Sequence, residues 1–408
     1  MYMNKYLILS KNKNFLYSYI SMLISSFGDS LSLLAFPLFA FNKTGSAMSS
    51  GIIMFSETIP WIIIAPLVGK YIDKGEKKKF LLIGDLIRTM TTILLVFADN
   101  MMIIYILVFV NGTFSSIFAT TKSAMTTEML GEDELDAGIK LSNVTKQIIN
   151  IVGPSVGTII LIGLSVKILF LIDALTYLLS FILNSKIKLS KKVNTDNIEN
   201  GESFMKSIKE SIVYILNGHE IRYTLFIDCI TTIFEAIISI SLVVFIKESL
   251  AFKDSIYSII ITINTVGLIV GSFLLSELQK RYNSFKIIKI IGFLISGIFL
   301  INIFCDTVPL LGVTWFIYGV LLGIREVLIQ LIFMKHIEDS KKGRVFSTAN
   351  SMISISYITG FLLSGYLIDN IGIINTFIFS SIFSMALLLV FEILNKKISL
   401  ETENEYRE

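Results

Sequence analysis

Three carboxylate residues lie inside long apolar runs of the sequence, where ionisable side chains are rare: Asp29, Glu57 and Glu235. Each is about eleven to fifteen residues from one end of its run, which is near mid-membrane depth if the run crosses a bilayer. An ionisable group at that depth costs about 2.5 to 3.5 kcal/mol to insert, so it requires a partner, a water-filled cavity or a neutral form. These residues are therefore candidates for binding and releasing a proton. A fixed hydrogen bond to a neighbouring helix is the alternative for each.

Arg325 is the basic residue that could act together with these carboxylates. It lies inside a late apolar run and is followed directly by Glu326, which cannot share its helix face. Arg325 could bind an anionic group of a substrate or pair with Asp29, Glu57 or Glu235. A fixed ion pair between two helices is the alternative.

Asp85 and Arg88 are three residues apart in the third apolar run, a spacing that allows an ion pair within one helix. Both lie within a few turns of one end of the run. For this pair we favour a structural role over a direct role in proton or substrate binding.

Other kinds of chemistry have little support in the sequence. His219 and His336 have no second His or Cys at ligand spacing, so we expect no metal and no cofactor. The apolar runs contain no Ser/His or His-rich constellation, which argues against an enzyme. No Gly-x-x-x-x-Gly-Lys-Ser/Thr segment is present, so ATP is not expected as an energy source.

Composition predicts a membrane protein. Of the 408 residues 53% are hydrophobic and 16% are charged, against about 25% charged in ordinary soluble domains, and the mean hydropathy is +0.74. Twelve apolar runs are long enough to cross a bilayer, at about 14–41, 46–70, 80–98, 101–121, 143–163, 166–184, 223–246, 255–277, 285–304, 309–334, 345–368 and 373–394. The predicted fold is an all-α membrane protein with twelve transmembrane helices in two pseudo-symmetric six-helix bundles.

A polar stretch divides the chain into residues 1–184, a linker of residues 185–222, and residues 223–408. Within the linker, apolar residues recur at helical spacing from Phe204 to Leu216, and Ser203 is placed to cap the helix. We expect an amphipathic helix on the inner membrane surface. A simple connector between the halves is favoured over a regulatory docking site.

The basic residues predict the topology of the chain. A group of lysines at positions 74, 77, 78 and 79 separates the second and third runs. Of the 35 Lys and Arg residues, three lie within runs and only four fall on the opposite side from this group: Lys43, Lys167, Lys247 and Lys253. Both termini and the linker should therefore be cytoplasmic. The net charge of +3 is spread over short loops, which argues against a nucleic-acid partner.

Two motifs resemble those of the major facilitator superfamily of transporters. Gly69, Asp73 and Lys74 begin a Gly-x-x-x-Asp-Lys-x-x-Lys-Lys segment like that between the second and third helices of the superfamily, with Glu76 where a second Gly is usual. Gly-Pro-x-x-Gly at Gly153, Pro154 and Gly157 is similar to the fifth-helix motif of its drug and proton antiporters.

Four further segments resemble the macrolide efflux and enterobactin exporter branch: Ser25–Asp29, Gly84–Arg88, Ile172–Tyr177 and Gly343–Ser347. The resemblance implies a monomeric secondary transporter in the plasma membrane. It would export an amphipathic small molecule, such as a drug or macrolide, in exchange for protons. Import of a metabolite, lipid flipping, or a non-transporting scaffold or receptor role are the alternatives.

The resemblance also implies roles for residues outside the proton site. Asp73, with Asp85, Arg88 and Arg344, would form a cytoplasmic gate that holds one conformation. Gly-x-x-x-Gly spacings, which allow close helix crossings, occur at Gly267 with Gly271 and at Gly319 with Gly323. The first of these pairs would face Gly153 and Gly157 at a sliding contact between the halves.

Overall fold

A computed structural model describes residues 9, 11–74, 76–188, 204–338 and 341–405. Two compact units divide the chain, Met1–Ile198 and Glu199–Glu408, here called the first and second units. In the described part of the first unit the long helices are α1 Lys13–Thr44, α2 Ala47–Lys74, α3 Lys77–Phe97, α4 Met101–Met129, α5 Glu132–Gly163 and α6 Lys167–Ser185. In the second they are α7 Phe204–Asn217, α8 His219–Val244, α9 Asp254–Gln279, α10 Ser284–Ile301, α11 Val308–His336, α12 Lys342–Ile371 and α13 Ile373–Glu405.

Twelve of these helices are long and apolar enough to cross a membrane, six in each unit, with α7 as the exception. A helix satisfies its own backbone hydrogen bonds, which a segment surrounded by lipid must do. The predicted all-α fold with twelve transmembrane helices is confirmed.

Capping residues lie at both ends of α1. The side chain of Asn12 accepts a hydrogen bond from the backbone N–H of Phe15 at 3.1 Å, which caps the start of α1. Gly45 ends the same helix with a φ of 65°, a left-handed conformation that other residues adopt only with strain.

Lysine side chains bind the exposed carbonyl groups at two further helix ends. Lys78 donates to the carbonyl oxygens of Ser185 at 2.6 Å and Ile187 at 2.8 Å, at the end of α6. Lys167 donates to the carbonyl oxygen of Val96 at 2.7 Å, at the end of α3. A cation stabilises a helix C-terminus because the unpaired carbonyls there carry partial negative charge.

The linker helix α7 packs within the second unit. Ile215 is buried, whereas Ile212, Val213 and Leu216 are exposed. The Lys341 ammonium lies 4.8 Å from the centre of the Tyr214 ring, next to the start of α12. The predicted helix is therefore present, its position on a membrane surface remains a prediction, and the predicted cap Ser203 lies outside the described residues.

Glycines bring α9 and α11 into close contact. A Cβ atom added at Gly267 or Gly271 would overlap backbone oxygens of α11, and one added at Gly319 or Gly323 would overlap backbone oxygens of α9. The two Gly-x-x-x-Gly segments therefore pack against each other inside the second unit. The Cβ side of Gly267 and Gly271 therefore faces α11, and the expected contact with the fifth span stays a prediction.

Replacing Gly271 with alanine should lower the thermal stability of the purified protein, because the new methyl group would overlap the carbonyl of Val320. We expect a loss of about 1 to 3 kcal/mol, the usual cost of overpacking. Gly297→Ala on α10 is the control, since its Cβ would meet only the flexible end of Met385, at 3.3 Å. Equal melting temperatures for the two variants in the same detergent would contradict this packing argument.

Candidate functional site

The first unit buries an ion pair on α3, as the spacing of Asp85 and Arg88 predicts. A guanidinium nitrogen of Arg88 lies 2.6 Å from Asp85 Oδ1, and both side chains are almost completely buried. The guanidinium also lies between two aromatic rings, 4.0 Å from the centre of Phe118 and 4.3 Å from that of Tyr177. Charge pairing and cation–π contact together fix this arginine in one position.

Lys122 is a buried cation that sequence reasoning missed. Its ammonium contacts four oxygens of neutral groups: the carbonyl and hydroxyl of Ser18, the hydroxyl of Ser21 and the amide oxygen of Asn184, at 2.5 to 3.1 Å. The amide nitrogen of Asn184 donates in turn to Asp85 Oδ2 at 2.7 Å. The apolar run that ends at residue 121 places Lys122 in a loop, whereas α4 continues to Met129.

Asp29 lies beside this cluster, on α1. The hydroxyl of Tyr177 donates to Asp29 Oδ1 at 2.6 Å. A second carboxylate, Asp173 on α6, accepts hydrogen bonds from Ser32 and Thr176. Asp173 falls in the segment Ile172–Tyr177 but was not recognised as a buried charge, although an Asp in an apolar run was the signal available.

Glu57 is half-buried at the crossing of α2 and α4, and its Oε2 atom is buried. A Cβ atom added at Gly112 would lie 2.7 Å from Glu57 Oε2, so glycine provides the space for this carboxyl group. Oε2 has no hydrogen-bond partner in the described part of the chain. A buried carboxyl oxygen without a donor favours the neutral form of the acid.

A cavity of about 210 Å³ opens between helices α1 to α5 of the first unit. Charged groups reach it from Asp29, Arg88, Lys122 and Lys146, and several Ser and Thr hydroxyls line it as well. Its apolar lining residues are Met22, Trp61, Phe118, Ala119, Leu135 and Ile139. Such a mixture of apolar surface with a few polar groups is typical of small-molecule sites.

Arg325 is the centre of a second buried cluster, in the second unit. One of its terminal nitrogens lies 2.5 Å from Glu235 Oε2, and the other donates to the hydroxyl of Thr231 at 3.1 Å. The hydroxyl of Tyr357 on α12 donates to Glu235 Oε1 at 3.0 Å. Of the three partners considered for Arg325, Glu235 is thus the one in contact with it.

Asp228 is a second carboxylate at Arg325, and sequence reasoning missed it. Asp228 Oδ1 lies 3.4 Å from Arg325 Nε, and both side chains are buried. Asp228 lies inside the apolar run at 223–246, so an Asp within a run was the signal available.

The chain matches a known protein family over nearly its full length. The profile of the family MFS_3, described as transmembrane secretion effector, matches residues 9–406. The chain belongs to this family. It is therefore a multi-pass membrane protein of the major facilitator superfamily, a class of transporters and not of enzymes.

Curated relatives of this MFS_3 protein span nearly its full length. It is 23% identical over 363 residues to the uncharacterized MFS-type transporter YfiS of Bacillus subtilis strain 168, covering 86% of each chain. It is 22% identical over 372 residues to macrolide efflux protein A of Streptococcus pyogenes, covering 87% of this chain and 89% of the relative. The crystal structure of the nucleoside transporter NupG superposes with a TM-score of 0.73 at 14% identity, covering 93% of this chain and 98% of NupG, and so shares the fold.

The structure describes the side chains of only some of the motif residues. Gly69, Asp73 and Lys74 belong to α2, but their side chains lie outside the described part. Arg344 is exposed in the first turn of α12. The predicted gate formed by these residues with Asp85 and Arg88 stays a prediction.

The fifth-span glycines pack against α1 within the first unit. A Cβ atom added at Gly153 would overlap the Ser30 hydroxyl, and one at Gly157 would lie 2.7 Å from Leu34 Cδ2. Pro154 lies inside α5, which continues to Gly163. These glycines therefore permit a close α1–α5 contact, and the expected contact with Gly267 and Gly271 stays a prediction.

Proposed function

We propose that the protein is a proton-coupled exporter of amphipathic small molecules that works by alternating access. The observation that carries the proposal is the cavity of the first unit, where apolar surface meets the carboxylate of Asp29 at mid-span. A substrate and a proton can both be bound there. Macrolide efflux protein A, one of the relatives, supports export of a drug-like molecule.

Buried charge supports transport over a passive scaffold. Each unit carries ionisable side chains inside its spans, and each such group is costly to insert. Replacing a buried ion pair with apolar residues is often neutral or stabilising. A scaffold would therefore gain little from these groups, whereas a transporter needs a carboxyl group that changes its protonation state during the cycle.

Orientation and gating complete the proposal. Both termini and the linker are assigned to the cytoplasm from the distribution of lysine and arginine. Asp73 and Lys74 then lie at the cytoplasmic end of α2, where with Asp85, Arg88 and Arg344 they would hold one conformation until substrate or proton exchanges.

The proposal predicts that the protein lowers drug accumulation in cells. In a bacterial strain without its own main drug exporters, expression should reduce accumulation of ethidium or erythromycin, and a protonophore should abolish the effect. Asp29→Asn should also abolish it, because an amide cannot release a proton. Asp306→Asn, at an exposed loop position, is the matched control.

Other outcomes favour other functions. Increased accumulation in expressing cells would indicate import. Unchanged accumulation of every compound in a broad drug panel, with normal amounts of protein in the membrane, would favour the scaffold or receptor. Full efflux activity of Asp29→Asn would remove this carboxylate from the coupling mechanism.

A further inference from the structure

Arg325 faces two carboxylates of α8, and the two contacts are unequal. Glu235 receives a terminal guanidinium nitrogen at 2.5 Å and the Tyr357 hydroxyl at 3.0 Å. Asp228 approaches only Nε, at 3.4 Å, and Nε has no hydrogen-bond partner in the described part of the chain. Glu235 is thus held by two donors, whereas no hydrogen bond to the Asp228 carboxyl group is found among the described residues.

The three α8 residues around Arg325 lie on one face of the helix. Asp228, Thr231 and Glu235 are spaced by three and then four residues, so their side chains follow one another along the axis. At 1.5 Å per residue, Asp228 and Glu235 are separated by about 10 Å along α8. The guanidinium lies between two carboxylates that attract it in opposite directions.

Other charged groups lie near this face. From α11, Glu326 is exposed and next to Arg325 in sequence, and it interacts electrostatically with Arg325, Glu235 and Asp228. From α13 and α10, Glu392 and Lys289 pair with each other at 2.6 Å, and Glu392 accepts the hydroxyl of Tyr223 on α8.

The groups beyond the end of α8 and on α7 contact residues other than Arg325. Beyond the end of α8, Lys247 pairs with Asp254 at 2.7 Å. From α7, Tyr214 contacts Lys341. On α8 itself Cys229 is a free thiol next to Asp228. In the described part of the chain, Arg325 is therefore the cation in contact with Asp228.

We propose that Asp228 carries the proton that this cluster exchanges, while Glu235 stays ionised as the fixed counter-ion of Arg325. One guanidinium balances one carboxylate, so two ionised carboxylates would leave an excess buried negative charge. The proton belongs on the carboxyl group with fewer donors, because an ionised carboxylate requires them more. Glu235, which the sequence indicates because it lies near the middle of its apolar run, is then a positioning residue for Arg325.

Loss of this proton moves the guanidinium. When the O–H bond of the Asp228 carboxylic acid breaks and the proton passes to water, the new carboxylate attracts Arg325 towards the N-terminal end of α8. Rebinding of the proton returns Arg325 to Glu235. Because Arg325 belongs to α11, the exchange changes the α8–α11 contact, and its role in transport rests on the proposed function.

Infrared spectroscopy of the purified full-length protein at neutral pH tests the assignment with protons alone as the ligand. The C=O stretch of protonated carboxylic acids should lose one component in Asp228→Asn. That component should shift to lower frequency when aspartate is labelled with ¹³C in its side-chain carboxyl group. Asp306→Asn, which changes an exposed loop aspartate, should leave the spectrum unchanged. Asp228→Ser replaces the first variant if Asp228→Asn does not elute as one species.

Two results would overturn the proposal. One is an unchanged carboxylic acid band in the Asp228 variants. The other is a lost component that shifts with labelled glutamate and not with labelled aspartate, which would assign the proton to a glutamate.

A transport measurement separates this inference from the proposed function. In vesicles with a pH gradient, uptake of ethidium by the wild-type protein tests the proposed function. Asp228→Asn should lose gradient-driven uptake but keep exchange of ethidium between the two sides without a gradient. Gradient-driven uptake at the wild-type rate in Asp228→Asn would overturn the proposed role of Asp228 and leave the proposed function standing.

Discussion

Replacing Arg325 with methionine should destabilise the second unit by about 3 to 5 kcal/mol, the usual cost of removing one partner from a buried ion pair. The substitution leaves Glu235 and Asp228 without their cation. Thermal unfolding followed by tryptophan fluorescence measures the effect. The protein contains two tryptophans, and in a Trp61→Phe background the buried Trp315 on α11 reports on the second unit.

A combined variant is the control for this prediction. Arg325→Met together with Glu235→Gln and Asp228→Asn replaces all three ionisable groups with neutral ones, so it should recover most of the lost stability. It should not recover proton-driven transport, because no titratable carboxyl group remains at this position. A combined variant as unstable as Arg325→Met alone would show that arginine stabilises the unit through packing and not through charge.

In the first unit, Arg88→Leu and Lys122→Met should differ in their effect on stability. Without Arg88, the carboxylate of Asp85 stays buried with hydrogen bonds from Asn184 and Ser180 but no cation in contact, and we expect a loss of about 3 to 5 kcal/mol. Without Lys122 only neutral oxygens lose a partner, and we expect a smaller loss of about 1 to 3 kcal/mol.

The same fluorescence method applies to this pair of variants. In a Trp315→Phe background, Trp61 at the cavity reports on the first unit. A larger loss for Lys122→Met than for Arg88→Leu would mean that Lys122, and not Arg88, is the main counter-charge of Asp85.

The sequence predicts the fold well because lipid restricts it. A segment that crosses a bilayer must be helical and about 20 residues long, so apolar length alone indicates the spans. Helix ends are less predictable. The run that hydropathy ends at residue 121 continues as a helix to Met129, and the Lys122 ammonium on this helix donates to oxygens of Ser21 and Asn184.

The candidate site is predicted less completely, because hydropathy gives the depth of a residue but not the helix face that it occupies. Its position in the middle of an apolar run identifies Glu235 as a candidate. It leaves Asp29, Glu57 and Glu235 as possible partners of Arg325. The contact between Glu235 and Arg325 depends on how α8 and α11 pack. Asp228 and Asp173 also lie inside apolar runs, at 223–246 and 166–184, but only the packing of the helices shows that both are buried by their neighbours.

Proton movement coupled to substrate flux is the most direct test of the central claim. Purified protein in lipid vesicles, with a pH-sensitive dye inside, should move protons when ethidium or erythromycin is added, in the direction opposite to the compound. Asp29→Asn should remove this signal. Substrate movement at the same rate with and without a pH gradient, and with no change of internal pH, would contradict proton-coupled export.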